Sequence, residues 1–228
     1  VSQAAGSSIA AQLGVPAERI RVVHNGSAPP HPVSDPWPHL RPLGIEPGRR
    51  VLLSAGNRLP HKNFDGLLAA LTSLPARERP LTVIPGGGEE DPLASLVARC
   101  ELGEDVVLPG WVSAEQLEAL YSVATLYVCP SLAEGFGLPV LDALRRGVRV
   151  VANDIPVLRE VGAECVTYAD ASNPTAFAAA IADSLRSPID PGELEAATSW
   201  AETFTWERSA ERTAEVLREA LGIASGRS

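Results

Sequence analysis

From Arg50 onward, short apolar runs alternate with longer amphipathic segments, and this rhythm limits the folds open to the chain more than any other feature. "VLLSAG" (51–56) gives way to the helix-spaced "FDGLLAALTSL" (64–74), and "LTVIPGGG" (81–88) to "DPLASLVARC" (91–100). "DVVLPG" (105–110) precedes "SAEQLEALYSVA" (113–124), where Ser113 and Gln116 stand three residues apart in a capping-box pattern. "TLYVCPS", "VRVVAND", "ECVTYAD" and the helical "NPTAFAAAIADSL" continue the series. Strands that are apolar throughout, rather than alternating, are buried on both faces, as in a parallel sheet covered by helices. About six such strands fall between Val51 and Tyr168, which predicts a doubly wound α/β domain with its ligand beyond the carboxyl ends of the strands.

The flanks break this rhythm. "SQAAGSSIAAQLG" reads as a helix stopped at Gly14, followed by a strand over Ile20–Val23. One helix and one strand make no core alone, so residues 1–26 are expected to be the tail end of an amino-terminal domain. Residues 27–49 open with a proline-rich stretch and read as a linker, 50–190 as the α/β domain, and 191–228 as two closing helices, Glu193–Phe204 and Trp206–Leu221.

The net charge of −9 argues against a nucleic-acid-binding surface, which needs clustered Lys and Arg, but leaves room for one small anion held by local donors. No apolar run reaches the ~18 residues of a membrane span. The start, "VSQAAGSSIAAQLG", lacks the basic and apolar regions of a signal peptide. Three widely spaced cysteines, Cys100, Cys129 and Cys165, match no zinc spacing and suit a reducing compartment. The expected location is therefore cytoplasmic, with the inner membrane face open to a peripheral association.

Four loops at expected strand ends carry the chemistry. In "SLAEGFGLPVLDALRRG" (131–147), Pro139 belongs in a first helical turn, so a helix starts near Gly137 or Leu138. Its free amides and dipole form an anion site, and Gly135 and Gly137 let the backbone approach a ligand. Glu134 either caps that helix or points at neutral hydroxyls. Asp142 either binds a ligand or pairs with Arg145 and Arg146 along its helix. In "AGNRLPHKN" (55–63), Arg58 and Lys62 are cations at a strand-to-helix loop, suited to phosphate or simply solvated. This loop lacks the second glycine and Ser/Thr of a P-loop. In "LPGWVSAEQ" (108–116), Trp111 either frames a flat base or packs between domains or on its own helix. "PGGGEED" (85–91) lacks the dinucleotide fingerprint, which counts against a dehydrogenase.

Together these stretches resemble the carboxy-terminal half of retaining GT-B glycosyltransferases, glycosyltransferase family 4. The resemblance rests on "VSQAAGSSIAAQLGVPAERIRVVHNG", similar to the end of the family's amino-terminal domain, on "AGNRLPHKNFDGLLAAL", on "LPGWVSAEQLEALYSVATLYVCPSLAEGFGLPVLDALRRGVRVVANDIPVLREV", and on "FTWERSAERTAEVLREAL", similar to the closing helix that crosses back toward that domain, in that order. It implies a Rossmann-like nucleotide-sugar domain behind a remnant of the amino-terminal domain. It implies that Glu134 contacts the donor sugar and that the backbone of Gly135, Phe136, Gly137 and Leu138 holds the diphosphate. Lys62 matches the family's phosphate lysine. Asp142 stands where the family has a second glutamate on the ribose hydroxyls, one methylene shorter. Asn57 stands where the family has an arginine, with Arg58 one place on. Trp111 and Val112 fall where the family touches the base.

The implied reaction is transfer of a sugar from a UDP- or GDP-linked donor to a sugar, lipid or small-molecule acceptor hydroxyl, with retained configuration. The resemblance implies neither a cofactor nor a metal. Much of the acceptor site in this family comes from the amino-terminal domain, so these 228 residues are expected to bind donor without efficient transfer. The alternative is a binding or scaffold module of the same fold without catalysis.

Overall fold

A computed structural model describes residues 1–88 and 90–222. Glu89, in the acidic glycine loop, and residues 223–228, the end of the expected 191–228 segment, lie outside the described residues.

Six parallel strands form one sheet: β1 (Val51–Leu53), β2 (Leu81–Val83), β3 (Val106–Val107), β4 (Ala124–Cys129), β5 (Val150–Asn153) and β6 (Thr167–Ala169). Their spatial order is β3-β2-β1-β4-β5-β6. The chain winds outward from β1 to one edge, then returns to lay β4 on the other side of β1. This is the doubly wound fold expected, and its switch point lies between β1 and β4.

The period of two along each strand divides the core. Val51, Leu53, Tyr127, Cys129, Val150 and Ala152 face one layer, formed by α5 (Ala114–Val123), α6 (Leu138–Arg145), α7 (Pro156–Gly162) and α9 (Pro191–Glu202). Leu52, Leu126, Val128 and Val151 face the other, formed by α3 (Phe64–Thr72), α4 (Leu93–Arg99) and α8 (Pro174–Arg186). The capping box at Ser113 is present: its hydroxyl accepts from the Gln116 amide, and the Gln116 side chain accepts from the Ser113 amide.

Two expectations are corrected at the amino-terminal flank. The first helix forms as α1 (Gln3–Leu13), closed by left-handed Gly14. Ile20–Val23 is not a strand; a strand exists only through a paired ladder, and no such pairing forms among the described residues. Ile20 and Val22 instead lie against Gly6 of α1, where an added Cβ would meet their methyls at 3.4 and 3.1 Å. The proline-rich linker is partly helical: α2 (Trp37–Leu40) and a 3₁₀ turn (Arg41–Leu43) place Pro38 and Pro42 in first turns, and Leu40 and Ile45 are fully buried. The closing helices are α9 and α10 (Trp206–Ala220).

Candidate functional site

The switch point brings together two residues separated by 71 positions of chain in the middle of two loops. Lys62 ends the loop after β1, and Glu134 sits in the loop after β4. Lys62 Nζ donates to Glu134 Oε1 at 2.6 Å, with side chains 15% and 10% exposed. Glu134 is therefore not the cap of its own helix; α6 has no side-chain cap, and left-handed Gly137 occupies its N-cap position. An added Cβ at Gly137 would be 2.9 Å from Leu158 Cδ2, so glycine is required there by space as well as by φ +99°.

The start of α6 is open in the way the sequence predicts. Pro139 stands in its first turn. Among the described residues the amides of Gly135, Phe136, Gly137 and Leu138 donate no hydrogen bond to the protein. Phe136 offers only its backbone to the site, because its ring is buried against His24 and Phe204. Further along α6, Asp142 Oδ1 accepts from Ser27 Oγ at 2.7 Å and lies 3.8 Å from Arg146 Nη1. Arg145 donates to the Ser27 carbonyl, while Arg146 binds Glu118 of α5. Burial raises the Asp142 carboxyl above its ordinary value, against the opposing pull of the Ser27 hydroxyl and Arg146.

The loop after β1 differs from its sequence reading at one residue. Arg58 does not face the space beside Lys62. Its guanidinium binds Asp91 and the carbonyls of Gly56, Ile84 and Pro85, with side chains of the ion pair 9% and 8% exposed. Every guanidinium N–H is engaged inside the protein. Asn57 is exposed, and its Oδ1 accepts from the Leu59 amide. Trp111 does not pack on its own helix: it is 76% exposed at the end of β3, with Val112 half-buried beside it.

Several organising residues escaped sequence reasoning. Asn63, at φ +53°, donates through its amide to the carbonyls of Pro130 and Ala171 at 3.1 and 3.0 Å, tying together the loops after β1, β4 and β6. Asn153, buried at the end of β5, donates to the Ser131 carbonyl and accepts from the Ala171 amide. The Leu132 amide donates to the His61 carbonyl at 2.7 Å. The available signal was Gly66 in the first turn of α3, where an added Cβ would stand 2.5 Å from the Asn63 side chain. A second link runs from α1. Glu160 accepts from the Gln3 and Ala4 amides at 2.7 and 3.0 Å and pairs with His24 at 2.8 Å. Buried Ser2 then donates to the Gly135 carbonyl at 2.8 Å.

A cation and a carboxylate at the switch point, beside a helix start whose amides are free among the described residues, suit a sugar carrying a diphosphate. Residues 37–202 match the family model described as "Glycosyl transferases group 1". The chain is 37% identical over 170 residues to O-antigen chain mannosyltransferase B of Escherichia coli, covering 71% of this chain and 44% of that protein. It is 31% identical over 203 residues to an MMP alpha-(1->4)-mannosyltransferase of Mycolicibacterium hassiacum, covering 80% of this chain and 48% of that one. The chain thus spans less than half the length of these relatives. The Anabaena protein Alr3699/HepE, solved in complex with UDP-glucose, superposes with a TM-score of 0.79 at 22% identity, covering 96% of this chain and 62% of that one. The described fold is the α/β sheet shared with GT-B glycosyltransferases, and the chain belongs to the group 1 glycosyl transferases.

Proposed function

We propose that this chain is the donor-binding half of a retaining glycosyltransferase, taking a hexose from a nucleoside diphosphate sugar. The observation that carries the reading is the meeting of Lys62, Glu134 and the α6 amino terminus at the β1/β4 switch point. The diphosphate lies along the free amides of Gly135 to Leu138 and takes Lys62 as its cation. Arrival of the diphosphate gives Lys62 a second anionic partner and turns Glu134 toward the sugar hydroxyls. Asp142 receives the ribose hydroxyls, and the loop from Gly110 to Val112 frames the base. The two mannosyltransferases among the relatives nominate mannose as the first hexose to test.

In the transfer step the bond from the anomeric carbon to the diphosphate oxygen breaks, and a bond to the acceptor oxygen forms on the same face. The acceptor proton passes to the departing diphosphate, and Lys62 and the α6 amides stabilise the charge that builds there. No protein nucleophile and no metal enter this reading.

Calorimetric titration with UDP and GDP tests it. One nucleotide binds, and Lys62→Ala weakens it about ten-fold or more through loss of a charge-assisted contact. Glu134→Ala spares the bare nucleotide and weakens the intact nucleotide sugar. Binding of neither nucleotide, or equal binding by Lys62→Ala, contradicts the assignment.

A further inference from the structure

We propose that Arg58 is a positioning residue: clamped to Asp91, it builds the floor of the donor site and makes no contact with the donor diphosphate. This rests on the donor-site reading above. Arg58 Nε lies 3.0 and 2.9 Å from the two Asp91 carboxylate oxygens, and Nη2 lies 2.7 Å from Oδ2. Nη1 donates to the carbonyls of Gly56 and Pro85 at 2.9 and 3.3 Å, and Nη2 to that of Ile84 at 2.7 Å. A guanidinium has five N–H donors, and these bonds engage all of them. The face of the guanidinium lies over the Phe64 ring, 5.1 Å from its centroid.

The clamp explains the glycines around it. An added Cβ at Gly87 would stand 2.0 Å from Asp91 Oδ2 and 2.9 Å from Arg58 Nη2. Gly86, at φ +102°, lies against the Gly56 carbonyl that Arg58 holds, and an added Cβ there would be 2.4 Å from that oxygen. The Gly86 amide donates to the Gly110 carbonyl at 2.8 Å, and the Gly56 amide to that of Pro85 at 3.3 Å. The loops after β1, β2 and β3 are thereby stitched into one surface, with Arg58 beneath it. The Lys62 stem crosses that surface: its Cδ and Cε would stand 3.6 and 3.7 Å from a Cβ added at Gly56. Arg58 thus sets the platform from which Lys62 reaches Glu134. A lysine in its place offers one point charge and three donors, and cannot hold three carbonyls and a carboxylate at once.

The sign of the Asp91→Asn effect separates the two roles open to Arg58. A positioning Arg58 loses its clamp in Asp91→Asn, and nucleoside diphosphate binding weakens about ten- to a hundred-fold, as for other small displacements of a binding group. Arg58→Lys shows the same loss and gives no rescue. An Arg58 that contacts phosphate directly is released by Asp91→Asn, so tighter or unchanged binding overturns the proposal. Calorimetry with UDP and GDP on the unaltered chain and both variants, with thermal melts alongside, makes the comparison. Where a variant fails to fold, the Arg58 Nε–H resonance of the unaltered chain decides. It stays in place at saturating nucleotide if Arg58 is a clamp and moves if Arg58 touches phosphate. No nucleotide binding by the unaltered chain overturns the donor-site reading itself, whereas binding that survives Asp91→Asn overturns only the role of Arg58.

Discussion

At the scale of single residues, Asp142 and Asp91 are held in opposite ways. Burial pushes the Asp91 carboxyl up, but the bonds from Arg58 and the Leu93 amide outweigh it, and its pKa sits below the ordinary value. Asp91 therefore contributes stability above the ordinary carboxylate range, and that stability is lost as pH falls through its lowered value. Asp142 is the reverse. Its pKa is raised, first by burial, so the folded state holds the proton more tightly than the unfolded one. Its contribution to stability therefore falls as pH rises from the ordinary Asp range through the raised value. A charged Asp142 costs stability, which the proposed ribose contact accounts for. Asp142→Asn should melt at or above the temperature of the unaltered chain at pH 7 while binding nucleotide several-fold more weakly, because amide–hydroxyl bonds are weaker than charge-assisted ones. Paired melts and titrations check this; a variant that melts lower and binds normally would make Asp142 a purely structural residue. Lys62 and Glu134 were legible as single residues in their loops, but their pairing was not, since 71 intervening positions hide it. The clamp on Arg58 was not legible, because its sequence context shows its charge and not the Asp91 that pairs with it.

At the scale of elements, α6 and α1 carry the site between them. α6 begins where Pro139 and Gly137 say it should, and its start was readable because first-turn proline and left-handed glycine are local signals. α1 was readable as a helix, but its docking was not. Glu160 of α7 supplies two acceptors to the Gln3 and Ala4 amides, which is where a helix start favours a negative charge. That capping fixes Ser2, whose hydroxyl holds the Gly135 carbonyl in the loop before α6. Glu160→Ala removes the acceptor for the Gln3 and Ala4 amides and leaves the Ser2 cap on the Ala5 amide in place. It should cost about 1–2 kcal/mol locally and expose α1 to limited proteolysis well before the rest of the chain. Cleavage of α1 at an unchanged rate would show that its docking does not depend on Glu160. The strand expected at Ile20–Val23 failed for a related reason: the β-branched composition was right, but a strand needs a neighbour, and sequence alone does not show whether one is present.

At the scale of the whole molecule, the strand order β3-β2-β1-β4-β5-β6 explains why four loops distant in sequence converge at one end of the sheet. The doubly wound class was legible because continuous apolar strands and amphipathic helices alternate without interruption from Val51 to Arg186. The stitching of those loops by Asn63, Asn153 and Arg58 was not legible, because it runs through side-chain bonds to carbonyls across long sequence separations. The central claim is that a nucleoside diphosphate lies across the β1/β4 switch point with its phosphates on the start of α6. Backbone amide shifts of the ¹⁵N-labelled chain, followed through a titration with UDP and GDP, test this most directly. The account requires the largest shifts at Gly135, Gly137 and Leu138, with smaller ones at Trp111 and Val112. Saturable binding whose shifts cluster at the opposite end of the sheet, around Arg149 and Glu193, would contradict it.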